Sequence, residues 1–279
     1  MSEMAKEELL YDTRPPGVIS ERLRPIIEKL GLDKNCRELT ENGWTVIDQV
    51  GDPETNERLH QVILDTSGVV DETSLGGANM ALTKDPLFAE VALNPKLFAM
   101  AEFSVGRGFL LTQMATSVIP QGYPPIGLHS DNNWLPAPFP EHNQILTACW
   151  STNGYSKEAG STLLIPGSNK LRRHPNAAEA EAEEGAIAID CPPNSAVLWD
   201  SNIWHSNWSR TLAGQRVVVH ISYGRLALRP VEDYSPWADE LIEAHGQCMS
   251  QILGRDDFLY STTGFDSSKL YATINNAKS

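Results

Sequence analysis

The five residues Gly127-Leu128-His129-Ser130-Asp131 carry the strongest structural signal in this sequence. On an extended strand, residues i and i+2 project to the same face, so the His129 imidazole and the Asp131 carboxylate converge while Ser130 points away. Such a pair offers two adjacent ligands to one cation. A His-x-Asp tripeptide is common by chance, so its meaning depends on the residues that accompany it.

A third ligand is available much further along the chain. His205 follows the β-rich run 196–199, and in an antiparallel barrel a strand that late in the sequence can return to face the first. Two imidazoles and one carboxylate on one face of an octahedron leave three positions open. This is the ligand arrangement of non-haem Fe(II) oxygenases.

Arg216 is the next candidate. It opens the run Arg216-Val217-Val218-Val219, after a polar turn around Ala213-Gly214. We expect a hairpin here that places Arg216 on the strand beside the one ending at His205, with its side chain in the same cavity. A buried guanidinium needs an anion, and its planar fork suits a carboxylate. Arg210 competes for this role, but it lies in the turn and is expected to be solvated.

The pattern around these residues predicts a β-rich body preceded by helices. From Phe109 onward, turn residues separate short β-rich runs, which favours an antiparallel sandwich or open barrel over a βαβ fold. These runs are 110–119, 127–129, 145–151, 161–165, 186–189, 196–199 and 216–223. Helical spacing predicts helices at 20–30, 56–66, 86–105 (interrupted near Asn94-Pro95) and 237–253. The β-rich run 44–50 predicts a first strand.

We expect one domain over residues 1–279. Its parts are a helical region at about 20–105, a barrel core at about 109–225, and a C-terminal helix and tail at 232–279. The tract 176–184 is rich in alanine and glutamate, and it predicts a solvated helix or loop without chemistry.

Composition restricts the partners and the compartment. Lys and Arg number 22 against 36 Asp and Glu, a net charge of −14, which disfavours nucleic acid and anionic membrane surfaces. The four cysteines are far apart, without a CxxC pair, as expected for reduced thiols. The N-terminus lacks the apolar region of a signal peptide, and no apolar run is long enough to span a bilayer. These features predict a cytoplasmic protein with a small-molecule partner; they do not determine its oligomeric state.

Together, the motifs resemble the phytanoyl-CoA dioxygenase family of Fe(II)- and 2-oxoglutarate-dependent oxygenases. The matching elements are the runs 42–47, 127–131, 160–170 and 196–200, then Trp204-His205, and Arg216 at the family's spacing from the distal histidine. The run Pro166-Gly167-Ser168-Asn169 departs from the family's usual Pro-Gly-Ser-His only at its last residue.

The resemblance implies a mainly β fold with flanking helices, a double-stranded β-helix of the cupin-like, jelly-roll type. It implies that His129, Asp131 and His205 bind Fe(II) and that Arg216 holds the distal carboxylate of 2-oxoglutarate, with O2 as the other reactant and succinate as a product. Related halogenases replace the metal-binding carboxylate with a small residue. Since Asp131 is present, we expect hydroxylation or another oxidation.

Three further residues are weaker candidates for binding the cosubstrate. Gln113 could donate its amide to 2-oxoglutarate, although a polar residue on a strand is also ordinary. Trp150 lies where family members place an aromatic near the cosubstrate, but buried tryptophan is usually core. Asn207 could share the face of His205 and hydrogen-bond the cosubstrate. His220 shares strand parity with Arg216 and is expected to be a core histidine.

The nature of the substrate is indicated only by the flanking residues. Tyr123, Trp134, Phe139 and Met114 lie close in sequence to the predicted metal-binding strands and suggest an apolar, aromatic-lined cavity. That would suit a free organic molecule such as a terpenoid, an alkaloid or another secondary metabolite. A CoA thioester is disfavoured, because its phosphates require a basic patch.

Alternative functions remain at this point. The chain has no GxSxG elbow, P-loop or GxGxxG, which excludes the common hydrolase and nucleotide-binding classes. A cupin-type metal isomerase or a dioxygenase that does not use 2-oxoglutarate would have no need of an inward Arg216. A non-catalytic barrel that binds small molecules would have to bury a full ligand set without a metal, which is costly.

Overall fold

The computed structural model describes residues 14–256 and Ser268. Within these residues, helices predominate before residue 106 and recur between residues 238 and 252. They are α1 (Arg24–Leu30), α2 (Asp33–Asn42), α3 (Pro53–Thr66), α4 (Pro86–Ala92), α5 (Pro95–Val105), α6 (Ala177–Ala182), α7 (Ala238–His245) and α8 (Gln247–Ile252). Within these residues, no helix combines the length and the apolar character that crossing a membrane requires.

The strands form two antiparallel sheets. They are β1 (Trp44–Ile47), β2 (Gly76–Ala78), β3 (Leu110–Pro120), β4 (Ile145–Ser151), β5 (Thr162–Leu164), β6 (Ile187–Ala188), β7 (Ser195–Asp200), β8 (His205–Asn207) and β9 (Gln215–Gly224). The larger sheet has the order β1-β7-β4-β9-β3-β2 and the smaller β6-β5-β8. The two sheets facing each other, with helices against the larger one, make the expected double-stranded β-helix with flanking helices, and this prediction is confirmed.

Three helices that pack on the sheet begin with the same local signal, an Asp or Asn followed by proline. The side chains of Asp52, Asp85 and Asn94 accept hydrogen bonds from backbone amides of the first helical turn, while the following proline occupies the start of the helix. Proline suits this position because the first amides of a helix have no partner within the helix. The break between α4 and α5 therefore falls at Asn94-Pro95, as the sequence predicts.

The alternation along the central strands sets the layers of the molecule. On β4, Ala148 and Trp150 pack into the core between the larger sheet and the helices. Cys149 instead joins a second core between the two sheets, where it meets Val197 and Val218. The space between the sheets is therefore lined by every second residue of β3, β4, β7 and β9.

The structure differs from the sequence expectations in several local features. Residues 127–129 form a single β-bridge rather than a strand, because only His129 pairs with another segment. The predicted C-terminal helix is divided into α7 and α8 at Gly246, which adopts a positive φ of 75°. Helix α2 was not anticipated. The acidic tract, expected to be a solvated helix or loop, forms the short, capped helix α6 with no buried residues. Most of the polar tail, 257–267 and 269–279, lies outside the described residues.

Candidate metal centre

His129, Asp131 and His205 come together at one end of the space between the sheets. One ligand atom from each lies within 4.8 Å of the other two. Asp131 Oδ1 is 3.8 Å from Nε2 of His129 and 3.4 Å from Nε2 of His205. Bonds of about 2.1 Å from nitrogen or oxygen to a divalent metal allow atoms at these separations to share one ion. The three residues therefore fit the metal that the sequence analysis predicts for them.

Backbone carbonyls orient both histidines. Nδ1 of His129 lies 2.8 Å from the Gly127 oxygen, and Nδ1 of His205 lies 3.2 Å from the Ile203 oxygen. A carbonyl oxygen can only accept, so each Nδ1 donates its proton and each Nε2 keeps its lone pair for the metal. Such contacts fix the tautomer and the ring orientation of metal-binding histidines.

The two carboxylate oxygens of Asp131 have different environments. Oδ2 accepts hydrogen bonds from the Thr147 hydroxyl at 2.9 Å and from the Trp199 indole at 3.0 Å, which leaves Oδ1 facing the histidines. Burial alone would raise the pKa of Asp131, but the two histidines and these hydrogen bonds outweigh it and lower that pKa. Burial lowers the pKa of His205. Both shifts favour the protonation states that bind a cation.

The main chain also joins the two histidines. The His129 amide donates to the His205 carbonyl at 3.0 Å, and the His205 amide donates back to His129 at 2.8 Å. This bridge brings the isolated segment around residue 129 against β8, so two ligands distant in sequence become direct neighbours. The expected convergence of His129 and Asp131 is present, although it depends on one bridge and a bend rather than on a regular strand.

A cavity of about 470 Å³ opens beside the triad, and Arg216 lies in its wall. The guanidinium is buried, with Nη1 donating to the Gly160 carbonyl, and its Nε is buried without a hydrogen-bond partner. No carboxylate among residues 14–256 forms an ion pair with it. Tyr155, Thr162 and Ser117 place hydroxyl groups along the same wall, and the Ser117 hydroxyl is also unpartnered. A buried cation beside unsatisfied donors fits a carboxylate ligand.

The route that brings Arg216 to the cavity differs from the expected hairpin. Arg216 lies on β9, between β4 and β3 in the larger sheet, whereas His205 begins β8 of the smaller sheet. The segment between them crosses from one sheet to the other. Arg210 is buried in this crossover and donates to the carbonyls of Ala159, Ala213 and Gly214, so the expectation that it is solvated is wrong.

The structure brings two of the three weaker candidates to the cavity. Gln113 and Asn207 both line it. The Asn207 amide is engaged locally, since its oxygen accepts from the Ile126 amide at 3.1 Å and its nitrogen donates to the Trp208 carbonyl at 3.0 Å. Trp150 does not reach the cavity. Its side chain is fully buried on the helix-facing side of β4, where the indole donates to Asn56 on α3.

Several residues that shape the site were not anticipated as functional. Thr147 and Trp199 hold Asp131, and Tyr155 and Thr162 line the wall near Arg216. The alternation of side chains along β4 could have indicated Thr147, because it places Thr147 on the opposite face of the strand from Trp150. His220, expected in the core, also lines the cavity. Burial and the nearby charge of Arg216 lower the pKa of His220 to about 4.

Of the four predicted apolar lining residues, Tyr123 alone lies at the cavity. Tyr123 is at the cavity together with Leu75, Ile119, Pro124 and Ile126. Of the other predicted residues, Trp134 is 71% exposed, Phe139 packs against His174, and Met114 lies in the core beneath the helices. Met114 points away because it has the opposite strand parity from Gln113.

Comparison with known proteins identifies a family over more than half of the chain. The profile of the family described as Phytanoyl-CoA dioxygenase (PhyH) matches residues 39–209. The chain belongs to this family. The resemblance predicted from the sequence motifs is thereby confirmed, and the match includes the three proposed metal ligands.

Curated relatives are distant. "Dioxygenase af480" of Aspergillus fumigatus is 25% identical over 183 residues, covering 64% of this chain, and the match spans only 59% of that relative's length. The uncharacterized protein Rv1501 of Mycobacterium tuberculosis is 20% identical over 203 residues, covering 68% of this chain and 72% of its own.

Solved structures share the fold at low sequence identity. The alpha ketoglutarate dependent epimerase SnoN from nogalamycin biosynthesis has a TM-score of 0.58 and 18% identity, covering 76% of this chain and 90% of its own. HygX from Streptomyces hygroscopicus, solved with nickel and 2-oxoglutarate, has a TM-score of 0.59 and 16% identity over the same shares.

Proposed function

We propose that this protein is an Fe(II)- and 2-oxoglutarate-dependent dioxygenase that hydroxylates a C–H bond of a small organic molecule. The observation that carries the proposal is the pairing of two features in one cavity. A His-Asp-His triad lies at one level, and the buried Arg216, with an unpartnered Nε, lies further along the same wall. A keto acid that chelates the metal and extends its other carboxylate to the guanidinium satisfies both.

Each part of the chain has a task in this reaction. His129, Asp131 and His205 hold the metal, with Asp131 kept ionised by its neighbours. Arg216 binds the distal carboxylate, assisted by the hydroxyl groups along its wall. Bound Fe(II), together with 2-oxoglutarate and O2, supplies the oxidant, so that the substrate C–H becomes C–OH while 2-oxoglutarate leaves as succinate and CO2. Since the carboxylate ligand is present, hydroxylation is favoured over halogenation.

The cavity favours an uncharged, largely apolar substrate. Its outer part is formed by Leu75, Ile119, Tyr123, Pro124 and Ile126. Among the described residues that line it, Arg216 is the only Lys or Arg, so no basic patch is present for the phosphates of a CoA thioester. The net charge of −14 acts in the same direction. Related folds have been solved with nogalamycin RO and with hygromycin B, which supports a small-molecule substrate.

Arg216 also disfavours the alternative functions. A cupin-type isomerase or a dioxygenase without 2-oxoglutarate has no anion to offer this guanidinium, and a non-catalytic barrel has no use for a complete metal triad. We further propose a single domain, because one continuous core runs from Leu23 to Ile252. The four free cysteines support a reducing compartment such as the cytoplasm.

Anaerobic titration tests the proposal directly. Protein loaded with Fe(II) should develop a metal-to-ligand absorption band on addition of 2-oxoglutarate. The His205→Ala protein should lose this band, because one metal ligand is gone, while Arg216→Ala should require about 30-fold or more 2-oxoglutarate to reach it. His245→Ala, on α7, is the matched histidine control and should behave as wild type. A wild-type protein without the band would overturn the proposal.

Succinate release tests the substrate class. Wild-type enzyme screened against neutral polycyclic metabolites and acyl-CoA thioesters should release succinate faster with the neutral compounds. Productive turnover restricted to the acyl-CoA set would contradict the assigned substrate class while leaving the cofactor assignment intact.

A further inference from the structure

His220 is a cavity-lining histidine that the metal triad does not use. It lies on β9, where its backbone is in register with Ala115 of β3 and Cys149 of β4. Its side chain faces the cavity. Within the described part of the chain, the ring has no hydrogen-bond partner. An imidazole that presents a polar edge to a binding cavity without a protein partner is available to a ligand.

The position of His220 along β9 is informative. Arg216, His220 and Ser222 have the same parity and all line the cavity. The Ser222 hydroxyl lies 3.3 Å from the Thr147 hydroxyl, which in turn holds Asp131, so Ser222 marks the level of the metal ligands. At about 3.3 Å per residue, His220 is one inward position from that level on the side of Arg216.

A keto acid that links the two ends must pass this point. On the proposed function, 2-oxoglutarate chelates the metal beside Ser222 and reaches Arg216 with its far carboxylate. The His220 ring borders the half of that path nearest the metal. Because its pKa is depressed to about 4, the ring is neutral at neutral pH and carries one N–H donor.

We propose that His220 binds 2-oxoglutarate directly, donating a hydrogen bond to an oxygen of its keto-acid half beside the metal. This inference rests on the proposed function and adds a contact to it. It assigns His220 as a cosubstrate-binding residue rather than a core residue, and it predicts that the side chain affects 2-oxoglutarate affinity without affecting the affinity for the metal.

The test measures 2-oxoglutarate affinity anaerobically on Fe(II)-loaded protein. His220→Phe keeps the ring volume but removes the donor, and its dissociation constant should rise by about tenfold or more, as expected for a hydrogen bond to a charged group. His220→Asn and His220→Gln place an amide donor near the two ring nitrogens, and at least one should stay within about threefold of wild type. The Fe(II) affinity of all three should match that of wild type.

The control is His245→Phe, the same substitution on α7, which should bind 2-oxoglutarate normally. A His220→Phe protein that melts like wild type and binds 2-oxoglutarate equally well would overturn the proposal. Equal losses in the Phe, Asn and Gln proteins would also overturn it, because they would reveal a packing role. If His220→Phe does not fold, His220→Ala replaces it. Failure of the proposed function has a different signature, the absence of the absorption band in wild type.

Discussion

Asp131 divides its two oxygens between the protein and the metal position. Because Thr147 and Trp199 both donate to Oδ2, the carboxylate cannot rotate to present that oxygen to the ion without losing a hydrogen bond. Partners of this kind set both the orientation and the charge of a metal ligand. They lie on β4 and β7, so the larger sheet contributes to the candidate metal centre although no triad histidine belongs to it.

Removing one of these donors should weaken metal binding. Thr147→Val preserves the shape of the side chain but removes the hydroxyl, and we expect the Fe(II) affinity to fall by about tenfold or more. Competition with a metallochromic dye measures the change. Thr66→Val, the same substitution on α3, should leave Fe(II) binding unaltered. Equal affinity in the Thr147→Val and wild-type proteins would show that Trp199 alone orients Asp131.

Asp200, at the end of β7, gives the stability a dependence on pH. Burial, reinforced by the charge of Asp131, raises the pKa of Asp200 from 3.8 to about 6. The folded protein thus binds this proton more tightly than the unfolded chain. The contribution of Asp200 to the free energy of unfolding is therefore greatest at low pH and is lost as pH rises through about 6.

Asp200→Asn should remove this dependence, because the amide stays neutral and still accepts from the Asn202 backbone, as Asp200 does at 2.7 Å. The melting temperatures of the two metal-free proteins should converge near pH 4. As the pH rises to 6 or 7, the melting temperature of the variant should increase relative to that of wild type. A constant difference across this range would contradict the assignment.

At the scale of elements, the segment that follows β9 is linked back to β3 through Glu232. Its buried carboxylate accepts from the Met80 amide at 2.7 Å, from the Met114 amide at 2.8 Å and from the Tyr234 hydroxyl. The backbone amide of Glu232 also donates to Thr112, inside the irregularity between Leu111 and Gln113. Glu232 therefore fixes the bulge that directs Gln113 into the cavity.

Glu232→Ala should lower the free energy of unfolding by about 2–4 kcal/mol, because two buried amides and one hydroxyl lose their acceptor. Urea denaturation measures the loss. Glu232→Gln retains one acceptor oxygen and should lose less. If the two variants were equally stable, the negative charge rather than the hydrogen bonds would be the stabilising feature.

The strong strands could be predicted from the sequence because their pattern is local. Strands β3, β4 and β9 are observed within one residue of the expected bounds, and the break at Asn94-Pro95 follows from capping. Trp150 was misplaced because β4 is buried on both faces, so hydrophobicity does not reveal which face lines the cavity. The sheet that carries Arg216 could not be inferred either. A crossover between sheets and a hairpin within one have the same turn residues, and only long-range packing separates them.

The convergence of His129, Asp131 and His205 could be predicted because ligand chemistry restricts the residue types, and a family resemblance supplied the pairing of distant segments. Thr147, Trp199 and His220 have no such restriction: strand parity indicates which face Thr147 and His220 share, but not which residues they meet. Their roles arise from register between strands that are far apart in sequence, which the hydrophobic pattern of any one strand does not determine.

At the scale of the whole molecule, the layers determine which thiols meet solvent. Burial raises the pKa of Cys36 and Cys191 to about 12 and that of Cys149 to about 11, whereas Cys248 on α8 is exposed. We expect a thiol reagent to label one of the four cysteines rapidly in the native protein and all four in denaturant. Cys248→Ser should abolish the rapid phase of labelling. Rapid labelling of a second cysteine would show that one of the buried layers becomes exposed by local unfolding.

His129 and His205 are held together by main-chain hydrogen bonds as well as by any ion they share. The β-bridge between the segment around His129 and the smaller sheet should therefore persist when no ion is bound. A chelator should remove the metal without unfolding the protein. Dialysis should then restore iron or replace it with another divalent metal. We therefore expect metal binding to be reversible in the folded protein and not to be required for folding.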